Sequence, residues 1–500
     1  MLRMEHSGKW HSSKLGSNRS GNEGRRGYRR RARLLPDPGP RPLDPKWFHV
    51  KHMRALLINP YIYDVSAYSF WSAPLGLLYV GSVLRQNGID IELIDCLAVD
   101  ETRRKEDGRA PFIQTKVAKP KAAAAVKKRF RRYGIAPAVL QSKLRALEPP
   151  DLILITSAMT YWYLGTLEAV ALARETFPNA KIVVGGLYPS LCREHAERHL
   201  SADLVVRSGA MSGLYAYIED VLSKPLRFKP DMEDLKLLPY PCFDLYERPF
   251  FVPLLTSLGC GYRCAYCATH YLHPNMVRRS PQEVLRELSH WHDRGCAHFA
   301  LYDDSFLAGK ETYAKPLLRA VSRPSIGISF HNPNALNASM IDEETALLLK
   351  EAGFTEVRIG LETADAKLQI ETGGKIDRQG FERAIGFLKR AGFEGTSICV
   401  YALAGLPFQR GSDVRKTVDY VAGLGLRVSL ADYSPIPHTP LFETYHASAR
   451  YPVAEEPLFQ NNALFPFAWE GFTEQELNEL KAYVRERNAL LGGGRDESSD

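Results

Sequence analysis

Residues 257–270 read SLGCGYRCAYCATH, so that Cys260, Cys264 and Cys267 fall within eight residues, at the end of the apolar run FFVPLLTSL (250–258) that reads as a strand. Iron–sulfur clusters are held by Cys thiolates, commonly four of them. A loop that supplies three leaves one iron with an open position for a small molecule, as open metal sites do elsewhere. Zinc is the rival reading, because His270 and His273 follow at Cys-x-x-His and His-x-x-His spacing and structural zinc takes four Cys or His ligands. Such sites pair two separated knuckles, and no second knuckle stands nearby. The remaining cysteines, Cys96, Cys192, Cys242, Cys296 and Cys399, are scattered singly among apolar neighbours. They read as small buried hydrophobes, and their scatter points to a reducing cytoplasm rather than a disulfide framework.

The spacing C-x-x-x-C-x-x-C, with Tyr266 just before the last Cys, resembles the cluster loop of the radical S-adenosylmethionine superfamily. That resemblance implies a [4Fe–4S] cluster whose free iron chelates S-adenosylmethionine, and a 5′-deoxyadenosyl radical made with one electron from a ferredoxin or flavodoxin. The protein then aims the radical at a substrate that the sequence does not identify.

Downstream of 250, a helix end, a glycine stop and a β-rich run recur in HDRGCAHFALYDD, KEAGFTEVRIGLET, KRAGFEGTSICVYALAGLP and VAGLGLRVSLADYSPIP. With the cluster strand and IGISFHNPNAL this makes six strands, a partial (βα)6 barrel of the TIM type, expected over 250–445. Ser280-Pro281 with Glu283 predicts a capping box, and Asp342 and Asp377 predict the next two helix starts.

Parallel barrels gather functional groups at strand carboxyl ends. The ends expected here carry Asp303 and Asp304, Asn332 and Asn334, Glu362, Gly405, and Tyr433 with Ser434. By resemblance to the superfamily, and to cores of the tRNA-methylthiotransferase type in particular, these residues together with Tyr266 would line the S-adenosylmethionine site. A carboxylate at Asp303 or Asp304 would face the methionine ammonium, Glu362 the ribose or amino group, and Gly405 the adenine.

The amino-terminal half alternates strand and helix: MRALLINP from Met53, PLGLLYVGSVLRQNG, IDIELIDC, DLILITSAM, YLGTLEAVALARETF, AKIVVGGLYPS and ADLVVRSG. This predicts a doubly wound, Rossmann-like parallel sheet over 53–222, with ligands beyond its strand ends near Asn59, Ser157 and the Gly185-Gly186 pair. The layout resembles the cobalamin-binding domain that precedes many radical S-adenosylmethionine cores. It departs from that pattern at one point. The Asp-x-His-x-x-Gly motif that supplies a cobalt ligand is replaced by NPYIYDVSAYSFW (59–71), which has no histidine. Two readings stay open, cobalamin held without a protein ligand or a relic domain that shapes the substrate cavity.

Residues 101–149 interrupt this domain with a basic run, KVAKPKAAAAVKKRFRRYG, expected to form a solvated amphipathic helix; Phe130 and Tyr133 also suit RNA stacking. A linker is expected over 223–249 and a loop with one amphipathic helix over 446–500, in which Phe465, Phe467 and Trp469 close the barrel mouth. The formal charge of +8 is local, because residues 1–52 carry 13 Lys/Arg against 4 Asp/Glu and leave the rest near neutral. That Arg-, Gly- and Pro-rich segment reads as a disordered tail or as untranslated sequence before Met53. No apolar stretch reaches membrane-spanning length. A non-catalytic corrinoid or iron–sulfur carrier and an RNA-modifying enzyme are the alternative functions.

Overall fold

The computed structural model describes residues 53–322 and 327–492, and the expectation for the basic tail lies outside them. Five parallel strands, β1 (Arg54–Asn59), β2 (Asp90–Asp95), β3 (Leu152–Ser157), β4 (Lys181–Gly186) and β5 (Leu204–Val205), pair in the order β2-β1-β3-β4-β5. The order reverses beside β1, the crossover point at which doubly wound sheets bind ligands. Side chains alternate between two apolar clusters. Ala55, Leu57, Leu152 and Leu154 enter one, while Leu56, Ile58, Ile153 and Ile155 enter the other. A sheet covered on both faces needs such uninterrupted apolar strands.

The second half supplies six further parallel strands: β6 (Val252–Leu254), β7 (His298–Leu301), β8 (Ser329–His331), β9 (Val357–Glu362), β10 (Ile398–Ala404) and β11 (Arg427–Asp432). They form two hydrogen-bonded pieces, β6-β7-β8 and β9-β10-β11, the latter extended by Leu336–Asn337. The stretch read as one third strand is therefore split. At the seam Phe330 N–H donates to Gly353 O at 3.1 Å. The buried Asn332 side chain then serves both backbone groups of Arg358, donating to its carbonyl at 2.8 Å and accepting from its N–H at 3.2 Å. One amide thus takes the place of a missing ladder rung. The Ser280 capping box and the Asp342 and Asp377 caps form as expected.

The basic run 116–134 does not form the expected α-helix, although Pro137–Arg145 just after it does. Gln114–Lys116 and Arg131–Tyr133 instead make an antiparallel sheet with Ile62–Asp64, and Lys121–Ala123 turns between them. Pro120 opens that turn, and Ala123, Val126 and Phe130 are drawn into the apolar cluster. Phe130 and Tyr133 are buried, so neither presents a ring for base stacking.

The carboxyl-terminal segment returns to both halves. Phe442, Val453, Leu458 and Phe459 join the cluster on the amino-terminal sheet, and the helix Glu474–Leu490 is tied to β11 by Asn488, which brackets both backbone groups of Val428. Among the described residues no helix is long and apolar enough to cross a membrane. Asn332→Ala leaves two buried backbone groups unpaired and is expected to lower unfolding stability by about 2–4 kcal/mol in urea titrations, with little change in the transition's steepness.

Candidate active site

The cysteine loop is framed by a short antiparallel ladder between Ser257–Leu258 and Val277–Arg278. Gly259, at φ 84°, enters the loop where a β-carbon would lie 2.4 Å from Asn275 O, so only glycine fits. Its N–H donates to Asp304 Oδ2 at 2.8 Å, and Thr269 Oγ1 lies 3.3 Å from Asp304 Oδ1 and 3.2 Å from Cys267 Sγ. Asp304 therefore braces the loop from the end of β7. Within the loop, Cys267 N–H donates to Cys264 O, while Ala265 bonds Thr372 and Leu441 through its backbone.

All three thiols are free; Cys264 is buried while Cys260 and Cys267 are half-buried. No three His, Cys, Asp or Glu side chains among the described residues converge to hold a single metal ion. A three-thiol loop suits instead a cluster, which spreads its ligands over several irons. Burial raises the Cys264 thiol, and Lys375 works in the opposite direction.

Lys375 is the residue that sequence reasoning missed. It follows Gly373, whose β-carbon position lies 3.0 Å from Cys264 Sγ, and its ammonium reaches Tyr266 Oη at 3.1 Å and Glu362 Oε1 at 3.3 Å. Burial is the largest single influence and opposes the Lys375 charge, but Glu362 and Cys264 together outweigh it and hold the ammonium above the ordinary lysine range. Glu362 has φ 69° at a register shift in β9, a conformation that costs a non-glycine residue and clusters at functional sites. A Gly-Gly-Lys turn after a short helix was the available signal.

The other strand ends divide. Asp303 is buried and accepts from Thr256 Oγ1 at 2.6 Å and Ser257 Oγ at 2.5 Å. It fixes the exit of the first barrel strand. Asn334 donates to Asp303 O at 3.1 Å. The ring of Phe465 stands where a Gly405 side chain would be, 2.7 Å from the β-carbon position. The glycine thus serves the packing of the carboxyl-terminal segment. Tyr433 is buried against Phe467 with no partner for its hydroxyl among the described residues, and Ser434 donates to Gln460 O.

On the amino-terminal sheet, Asn59 donates to Asp95 at 2.8 Å, and Gly186, at φ 108°, lets Ser157 O approach where a β-carbon would stand 2.2 Å away. Ser157 Oγ is buried without a partner among the described residues. Gly185 and Gly186 line a cavity of about 130 Å³ beyond the strand ends, together with Arg207, Ser208 and Gly209. Arg207 joins that cavity to the cysteine loop. Its guanidinium lies 4.4 Å over the Tyr271 ring and donates to Tyr271 O at 2.9 Å, and His438 stacks on the same ring at 4.0 Å.

The loop 59–71, in place of the cobalt-ligand motif, is organised by buried Asp64, which accepts from Trp162 and Asn461, each at 2.6 Å. It ends against the barrel, where Trp71 stacks on His331 at 4.4 Å and Arg358 lies over Phe70 at 4.5 Å.

Residues 254–421 match the radical SAM superfamily model. This stretch is a radical SAM domain. The chain is also 22% identical, over 514 aligned positions covering 88% of it and 90% of the relative, to cytidylyl-2-hydroxyethylphosphonate methyltransferase of Streptomyces wedmorensis. Its fold is similar to that of the radical S-adenosylmethionine methyltransferase TsrM of Kitasatospora setae, solved with tryptophan and aza-SAM, with a TM-score of 0.60 at 18% identity over 88% of this chain and 89% of that one. It is similar too to OxsB, a cobalamin-dependent S-adenosylmethionine radical enzyme, at 0.52 and 14% identity over 90% of this chain and 63% of OxsB. The likeness thus extends beyond the radical SAM domain to the amino-terminal sheet.

Burial pushes Asp303 of this domain up from 3.8 to about 6. Between those values the folded state binds the extra proton, so this group's contribution to stability is full below the ordinary carboxylate range and is lost as pH rises. The stability advantage of the native protein over Asp303→Asn is expected to shrink by about 3 kcal/mol from about pH 4 to about pH 7. Unfolding at several pH values checks it, and a constant difference rejects it.

Proposed function

We propose that the protein is a radical S-adenosylmethionine methyltransferase that uses a corrinoid. In this reading Cys260, Cys264 and Cys267 hold a [4Fe–4S] cluster, with Asp304 and Gly259 fixing the loop. A cluster held there would supply the one-electron reduction that cleaves S-adenosylmethionine to methionine and a 5′-deoxyadenosyl radical able to take hydrogen from a substrate. Glu362 and Lys375 offer one negative and one positive group beside Cys264, a complement to the ammonium and carboxylate of the methionine portion. Tyr266 packs beside them. The electron comes from an external one-electron donor of the ferredoxin or flavodoxin class.

The observation that carries the corrinoid is the Arg207–Tyr271 stack. It links the cavity at Gly185 and Gly186, about 130 Å³ and so of a size for a corrinoid's nucleotide tail rather than its ring, to the helix Thr269–Leu272 that follows the cysteine loop. Fold similarity over most of this chain to TsrM, a methyltransferase also solved with cobalamin and a [4Fe–4S] cluster bound, and to the cobalamin-dependent radical enzyme OxsB supports the same reading. With no histidine in residues 59–71, the cobalt would be held without a ligand from that loop.

Anaerobic reconstitution with iron, sulfide and hydroxocobalamin tests this. The native protein should show both iron–sulfur and corrinoid absorption and release 5′-deoxyadenosine with dithionite. Cys264→Ala should lose at least about a hundredfold of that release while retaining the corrinoid, and Arg207→Ala should retain the cluster but hold the corrinoid more weakly. Undiminished release from Cys264→Ala would overturn the assignment.

A further inference from the structure

The three cysteine sulfurs do not stand in equivalent surroundings. Cys260 Sγ accepts from the N–H of Tyr262 at 3.5 Å, a weak contact within the loop's own backbone. Cys267 Sγ lies 3.2 Å from the hydroxyl of Thr269, two residues on, and that hydroxyl lies 3.3 Å from Asp304 Oδ1. A β-branched side chain is stiff about χ1, so Thr269 keeps its oxygen between the sulfur and the carboxylate.

Holding the loop in shape does not require this arrangement. Asp304 already secures the loop entry through the Gly259 N–H at 2.8 Å. The turn after Cys267 closes on backbone bonds, from Leu272 N–H to Ala268 O at 3.0 Å and from His273 N–H to Thr269 O at 2.7 Å. Nor does the carboxylate take up the hydroxyl fully, because 3.3 Å is long for an O–H···O bond, whose usual span is about 2.5–3.0 Å. As a free thiol, Cys267 gives its own proton to Thr269 Oγ1. A cysteine that ligates iron is a thiolate and has none to give. The proton left at that contact is then the hydroxyl's, and the sulfur becomes its acceptor.

We propose that Thr269 hydrogen-bonds the Cys267 sulfur once a cluster is bound and raises the potential at which that cluster accepts its electron. Hydrogen bonds to ligand sulfurs are among the levers that set such potentials. Reduction adds negative charge, part of it on sulfur, so a donor stabilises the reduced form more than the oxidised one. Thr269 is in this sense a positioning residue that acts through Cys267, and Asp304 keeps its hydroxyl in place. The proposal rests on the reading that Cys260, Cys264 and Cys267 hold a [4Fe–4S] cluster; S-adenosylmethionine, corrinoid and substrate do not enter it.

The midpoint potential of the reconstituted full-length protein, followed by electron paramagnetic resonance in an anaerobic titration without S-adenosylmethionine, tests it. Thr269→Val keeps the shape and removes the hydroxyl. It should retain native iron and sulfide content and shift the reduction equilibrium about tenfold toward the oxidised form, a fall of about 59 mV for one electron. Thr269→Ser keeps the hydroxyl and should move the potential much less. An unmoved or raised potential in cluster-bearing Thr269→Val overturns the proposal, as does an equal fall in Thr269→Ser. Should Thr269→Val bind no iron, Thr269→Ala carries the same expectation, and loss of iron from both variants would overturn the proposal, because the hydroxyl would then be needed to build the loop. A native protein that binds no cluster removes the cluster reading and this inference together, whereas a bound cluster whose potential ignores Thr269 removes this inference alone.

Discussion

Two adjacent carboxylates at the end of β7 hold the rest in place. Asp303 faces inward and gathers the hydroxyls of Thr256 and Ser257, and Asp304 faces outward and takes the N–H of Gly259. Between them they fix both the end of the first barrel strand and the start of the cysteine loop. A buried carboxylate is costly without such donors, so the hydroxyls and the acid stabilise one another. The loop has little regular structure of its own and takes its position from these few bonds.

Around this anchor the chain closes on itself. The carboxyl-terminal segment packs first on the amino-terminal sheet and then along β11, so neither half of the molecule presents its apolar face to water. The loop after β1 adds Phe70 and Trp71 to the barrel. Where the cobalt-ligand motif would lie, this protein has an element that joins its two halves.

Much of this was legible in the sequence because the relevant signals are local. Uninterrupted apolar runs marked the doubly wound sheet, and Ser280, Asp342 and Asp377 marked helix starts whose caps need only neighbouring residues. The cysteine spacing marked the loop. What escaped depends on distant contacts. The basic run looked helical by composition, yet Pro120 and the burial of Phe130 turned it into strands against Ile62–Asp64. Asp303 and Gly405 read as ligand contacts because they end strands, and the neighbours the fold gives them, Thr256 and Ser257 for one and the Phe465 ring for the other, are remote in sequence. Lys375 was invisible for the same reason, since only the fold brings it to Cys264.

A cavity of about 420 Å³ is walled by residues of the loops 66–70 and 159–162, by β9 to β11, by Asn462 and Ala463, and by Lys481, Val484 and Arg485 of the terminal helix. A substitution in that helix therefore reshapes the cavity while the bonds by which Asp304 holds the cysteine loop stay as they are.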